Sequence, residues 1–151
     1  MLHLVRDSRA VAYAWARRAK HNPGSGRPMD VRAPARTAAG WSVINALVAA
    51  ERHLGRYRRI RYEDLVGRPR DVVGEILGFL GIGDRGLPLD EDGGFERVSN
   101  HTVAGNPGRF QRGCTRIRAD EAWRGEIDAR TRAVVTGLTA PSLLRYGYRL
   151  G

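Results

Sequence analysis

Met1-Leu2-His3-Leu4-Val5-Arg6-Asp7-Ser8-Arg9-Ala10-Val11-Ala12-Tyr13-Ala14-Trp15 is the stretch around which the other segments fall into place. An apolar run (Leu2, Leu4, Val5) stops at Arg6-Asp7, and a pattern of helical period begins within two residues. Val11, Ala14 and Trp15 fall at i, i+3 and i+4, and Asp7 or Ser8 supplies the oxygen that caps the first turn. The stretch predicts a buried strand turning sharply into a helix. In open α/β sheets, ligands bind at the carboxyl ends of strands. The unpaired N–H groups of a helix start attract anions, and Arg6 and Arg9 add two positive charges there. An anion site for phosphate or sulfate is one expectation. A plain strand–helix corner, with its arginines solvated or paired with acids, is the other.

Outward from this corner, the helix is expected to run to about Lys20 and stop at His21-Asn22-Pro23-Gly24. Residues 21–36, broken by Pro23, Gly24, Gly26, Pro28 and Pro34, read as a lid-like loop. Thr37 is placed to cap a second helix with Trp41, Ile44, Leu47, Val48 and Leu54 on one apolar face, closed by Gly55. Residues 57–62 alternate as a short strand. Pro69 then opens a helix with Val72, Val73, Ile76, Leu77 and Leu80 facing inward and Gly81 behind it. Residues 81–119 carry little regular period. Asp120 is expected to cap a helix bearing Trp123 and Ile127. A further helix carries Val134, Val135 and Leu138, and Pro141 opens a last short turn.

Two strands alternating with helices indicate an α/β fold with parallel pairing. Two strands are few for a parallel sheet, which is normally covered on both faces. A chain whose first residues already form a buried strand is expected to be part of a larger domain, or to cover its open edge by homo-oligomerisation.

The 151 residues suit one domain with a proper core. No stretch of 18 apolar residues and no secretory leader pattern is present, so no membrane partner is expected. Cys114 is the single cysteine, which excludes an intrachain disulfide and favours a cytoplasmic setting. There are 26 Lys and Arg against 16 Asp and Glu, a formal charge of +10, and Lys20 is the sole lysine. Arginine favours bidentate contact with phosphate and carboxylate. The arginines are scattered over every segment beside acids, with no basic stripe interleaved with aromatics. A small polyanionic ligand is therefore expected rather than nucleic acid.

Six segments in order resemble the sulfotransferases that use 3′-phosphoadenosine 5′-phosphosulfate (PAPS), particularly bacterial members. They are Leu4-Val5-Arg6-Asp7 through Trp15, Arg61-Tyr62-Glu63-Asp64-Leu65 with Pro69, and Ile76-Leu77-Gly78-Phe79-Leu80-Gly81. Asn100-His101-Thr102-Val103-Ala104-Gly105-Asn106-Pro107, Asp120-Glu121-Ala122-Trp123-Arg124 and Leu144-Arg145-Tyr146-Gly147-Tyr148 complete the set. The resemblance implies a P-loop-type parallel sheet with flanking helices, incomplete here, and residues 1–151 as part of one such domain. It implies transfer of a sulfuryl group from PAPS to a hydroxyl or amine of a small acceptor, with no metal.

Carried over residue by residue, Arg6 resembles the arginine that grips the 3′-phosphate, and Tyr62 the tyrosine near the adenine. Arg112-Gly113 resemble the end of the late element that also holds that phosphate, with Arg109 as a helper. Ala14 stands where the family has a serine, which leaves Ser8 as the nearest substitute donor. His101 is expected to be a structural hydrogen-bonding residue. The phosphosulfate loop and the catalytic base of the family lie upstream of the stretch resembling residues 2–15. No catalytic residue is assigned, and the chain alone is expected to be inactive. The alternative is a catalytically inactive nucleotide- or polyanion-binding remnant.

Overall fold

The computed structural model describes residues 1–17, 30–82, 86, 89–90, 93–97 and 112–151. In chain order the elements are β1 (Leu2–Val5), α1 (Ser8–Ala16), α2 (Pro34–Ala50), a 3₁₀ turn (Glu51–His53) and β2 (Arg58–Arg61). They continue with α3 (Tyr62–Gly67), α4 (Pro69–Leu80), β3 (Gly94–Arg97), β4 (Gly113–Arg116), α5 (Trp123–Glu126) and α6 (Ala129–Arg145). The architecture is mixed α/β. The chain divides into two compact units: residues 1–18, 30–62 and 120–151, and residues 19–29 and 63–119.

In the first unit β1 and β2 pair in parallel, with Leu2 opposite Arg58 and Val5 opposite Arg61. The expected strand–helix corner and parallel pairing are both present. Strand alternation turns His3 and Val5 into the interior. Val5 meets Trp41, Leu143, Tyr146 and Tyr148 in one apolar cluster. His3 is buried: its Nδ1 lies 2.5 Å from the Tyr57 hydroxyl and its Nε2 2.8 Å from Asn45 Oδ1. Asn45 Nδ2 donates to the Trp41 carbonyl, so its oxygen accepts from His3 Nε2–H.

Helices α1, α2 and α6 pack closely through Ala12, Ala38 and Val135, all fully buried. Small side chains at the crossing let the backbones approach. The buried positions of α1 are Ser8, Arg9, Ala10, Ala12 and Tyr13, while Val11, Ala14 and Trp15 are only half-buried. The helix ends at Ala16, short of the expected Lys20. Arg17 is extended (φ −75°, ψ 121°), and the Arg32 N–H takes up the Trp15 carbonyl.

Three further expectations are corrected in this unit. Helix α2 starts at Pro34, whose fixed φ and missing N–H suit a first turn. Thr37 is therefore inside the helix, donating to the Ala33 carbonyl, and the 21–36 loop has given way to helix by Pro34. The inward face of α2 is Thr37, Ala38, Trp41, Asn45 and Ala49, whereas Ile44, Leu47 and Leu54 are exposed. Helix α6 continues through Pro141 to Arg145. Proline removes one helical hydrogen bond, but fully buried Val135, Thr139 and Leu143 flank it and hold the helix on the core. Val134 and Leu138 face solvent.

In the second unit Pro69 begins α4. Gly81 ends it in the left-handed region (φ 71°), with Gly81 N–H donating to Gly78 and Ile82 N–H to Leu77. Val72 is buried and Leu80 exposed. The segment read as aperiodic contains two short strands, β3 and β4, paired antiparallel with Phe95 opposite Thr115. Four-residue strands that each open on a glycine carry too little alternation to be seen in sequence.

Candidate functional site

The register that sets Val5 opposite Arg61 brings the next residues, Arg6 and Tyr62, side by side beyond the carboxyl ends of β1 and β2. The Arg6 guanidinium lies over the Tyr62 ring, 4.4 Å from its centroid. Its backbone is pinned because Trp41 Nε1–H donates to the Arg6 carbonyl at 3.0 Å. Arg6 Nη2 donates to the Asp120 carbonyl at 3.1 Å and approaches Asp120 Oδ2 at 3.4 Å. The Arg6 side chain is 22% exposed and that of Asp120 48%. A long, half-exposed ion pair of this kind contributes about 0–1 kcal/mol. The guanidinium is held in place yet open to a better anion.

The start of α1 is not open. Asp7 caps the helix, accepting from Arg9 N–H at 2.8 Å. The same carboxylate accepts from Arg9 Nε at 3.0 Å and Nη2 at 2.7 Å, with both side chains buried. Arg9 also donates to the carbonyls of Arg149 and Leu150, which ties the end of the chain to this corner. The anion drawn to the helix start is the chain's own carboxylate, and Arg9 is a structural clip. Ser8 is fully buried and donates to Thr139 Oγ1 at 2.8 Å, since Thr139 spends its own proton on the Val135 carbonyl. It is not free to replace the hydroxyl that Ala14 lacks.

Of the other sequence-predicted residues, Arg112 is exposed at the start of β4, and Gly113 follows it with φ +94° and open space where a Cβ would sit. Both belong to the second unit. Arg109, His101 and the 98–111 segment lie outside the described residues, as does most of the expected lid. Cys114 is exposed and unpaired by any disulfide.

The sequence reading missed Asp120 and Arg61. Asp120 was expected to cap a helix. Ala122 holds that position for the single turn α5, and Asp120 instead turns to Arg6. Arg61 stacks 4.3 Å from the Tyr148 centroid, and its Nη1 donates to the Gly147 carbonyl at 3.4 Å. Its Nε is buried without a hydrogen-bond partner. The alternation of arginines in β2 was the signal for Arg61. For Asp120 there was none, since the contact spans 114 residues.

Two tyrosine hydroxyls of the first unit hold their protons more tightly than usual. Tyr13 is raised mainly by its hydrogen bond to the Glu126 carboxylate, and Tyr57 by burial. Among the described residues no group of three His, Cys, Asp or Glu side chains is placed to hold a metal ion. No described helix is long and apolar enough to cross a membrane. No protein-family model matches the chain, and neither a curated protein nor a solved structure is significantly similar to it.

Proposed function

We propose that this chain carries the 3′-phosphate and adenine side of a PAPS site in a sulfotransferase-type α/β domain, which passes a sulfuryl group to a hydroxyl or amine of a small acceptor. The observation that carries the proposal is the pairing of Arg6 with Tyr62 at the ends of two parallel strands. A phosphate reaching Arg6 displaces the long contact to Asp120 and gains charge-assisted hydrogen bonds. Tyr62 steadies the guanidinium by its ring, and its place beside the adenine rests on the resemblance. PAPS, when bound, supplies the activated sulfuryl group. The chain's own residues bind and orient. For Arg109, Arg112 and Gly113 a phosphate-binding role rests on the resemblance alone.

The buried Asp7–Arg9 pair favours keeping a second reading, a polyanion-binding module without catalysis, because it removes one cation and the helix start from the site. Calorimetric titration of the full chain with adenosine 3′,5′-bisphosphate separates the two. Saturable binding that Arg6→Ala weakens by about tenfold or more supports the cofactor site, since hydrogen bonds to charged groups contribute about 1.5–3 kcal/mol. Binding that ignores Arg6 and only tracks salt supports the polyanion module. Absence of binding refutes both.

A further inference from the structure

Helix α2 carries more apolar surface than its own unit covers. Beside and behind the face that holds Trp41 and Asn45, Ile44 and Leu47 are 62% and 65% exposed, and Val43 is exposed with them. A helix that is apolar all round belongs in a core or an interface. The neighbouring strand has the same imbalance: His3 and Val5 are buried, while Leu4 is 55% exposed. Among the described residues β1 has one strand partner, β2. The Arg58 N–H donates to the Met1 carbonyl, so the alternation of a parallel ladder turns the N–H and C=O groups of Leu2 and Leu4 away from β2.

A groove of about 350 Å³ runs along this strand, between Leu2 and Leu4 on one side and Trp41, Ile44 and Val48 of α2 on the other. Past Val11 and Trp41 it adjoins a larger hollow of about 840 Å³. Arg6 lines the first, and Arg32 and Arg36 line the second. Asp30 is the one acid among the described lining residues.

We propose that this groove receives an extended segment of another polypeptide. The segment pairs as a strand with β1, lays apolar side chains on α2, and carries acidic residues at its flanks. The outward N–H and C=O groups of Leu2 and Leu4 specify a strand rather than a helix. Four residues of β1 give a contact of roughly 13 Å, the length of a four-residue strand. The arginines at the rim select an acidic partner. A second copy of this chain would bring a further formal charge of +10 against them. The inference requires no nucleotide, but it shares Arg6 with the proposed phosphate site. An acidic flank and a phosphate would compete there, whereas Ile44 and Arg36 belong to the groove alone.

The test uses the full chain and a dye-labelled synthetic peptide of alternating valine and threonine with paired glutamates at each end. A twin carries lysines in place of the glutamates. Fluorescence anisotropy is expected to show saturable binding of the acidic peptide, with the lysine twin weaker by about tenfold or more. Ile44→Asp, at an exposed position, is expected to weaken binding by about tenfold while leaving the circular dichroism and melting curve unchanged. Arg36→Glu is expected to narrow the gap between the two peptides, and N-methylation of alternate peptide amides to abolish binding.

Equal affinity for the twins, indifference to Ile44→Asp, or no saturable binding overturns the proposal. A dimer in sedimentation that Ile44→Asp dissolves and the peptide does not displace assigns the face to a second copy. Leu2 and Leu4 amides already protected from hydrogen exchange in the free monomer assign it to a segment of the same chain. Either result also overturns the proposal.

Discussion

Arg9 Nη2 lies 2.7 Å from Asp7 Oδ2 and Arg9 Nε 3.0 Å from Asp7 Oδ1, a two-point pair closed within three residues at the start of α1. The pair fills the place that a helix start would otherwise offer to a ligand. It leaves Arg6, one residue before Asp7, as the cation that faces outward.

Removing Arg9 strands a buried carboxylate. Arg9→Ala is expected to lower unfolding free energy by about 3–5 kcal/mol, the usual cost of breaking a buried pair from one side. The double variant with Asp7→Ala should recover part of that loss. Denaturant unfolding of the two single variants and the double variant checks it. A loss below about 1 kcal/mol for Arg9→Ala would mean that the pair is not buried in solution.

Arg6 and Asp120 are expected to behave oppositely. Asp120→Asn should change stability by less than about 1 kcal/mol, because the contact is long and half-exposed. It should also tighten binding of adenosine 3′,5′-bisphosphate by removing the competing carboxylate. Calorimetry on both proteins at one salt concentration measures the difference.

The orientation of α2 is tested by two truncations. Trp41→Ala is expected to cost about 3–5 kcal/mol, since the indole is buried against Val5 and Tyr146 and its N–H is bonded to Arg6. Leu47→Ala, on the exposed side, should stay within about 0.5 kcal/mol in the isolated protein. Comparable losses at both positions would place the inward face where the apolar pattern first put it.

The Tyr13–Glu126 bond makes stability depend on pH at the alkaline end. The Tyr13 pKa is raised in the folded chain above its ordinary value of 10.0, chiefly because the neutral hydroxyl donates to the Glu126 carboxylate. The stabilisation is fully present below the unfolded value and is lost as pH rises through the folded one. Tyr13→Phe should flatten that part of the stability profile. Urea midpoints across the alkaline range read the effect.

Asp128 supplies the acid counterpart. Its carboxylate accepts from the Thr131 N–H at the start of α6, which holds its pKa below the ordinary 3.8. This stabilisation is present above the unfolded value and is lost as pH falls through the folded one. Asp128→Ala should therefore lose stability at neutral pH and converge with the parent chain in strong acid, as followed by circular dichroism.

Much of the fold was legible because its signals are local. The apolar run Leu2–Val5, the cap at Asp7, Pro69 at the start of α4 and Gly81 behind it each act within a few residues of chain. The parallel pairing of β1 with β2 also followed from strands separated by helices. The face of α2 was misread because Ile44, Leu47 and Leu54 make a better apolar stripe than Thr37, Asn45 and Ala49. The inward choice is made by partners far away: Asn45 is taken by His3, and Ala38 by the close approach of α1 and α6. Proline disfavours a helix interior, so the pattern predicts a new short turn at Pro141, and the burial of Val135, Thr139 and Leu143 overrides it.

The candidate site divides in the same way. The sequence by itself determined that Arg6 stands at the end of a strand and Tyr62 just after another, since strand ends are a matter of local pattern. Tertiary structure decided that the two meet at 4.4 Å, that Asp120 answers Arg6 across 114 residues, and that Arg9 and Ser8 are withdrawn into the interior. The physical reason is that charge and hydrogen-bonding capacity are written in the residue, whereas the partner that consumes them is chosen by packing between distant parts of the chain.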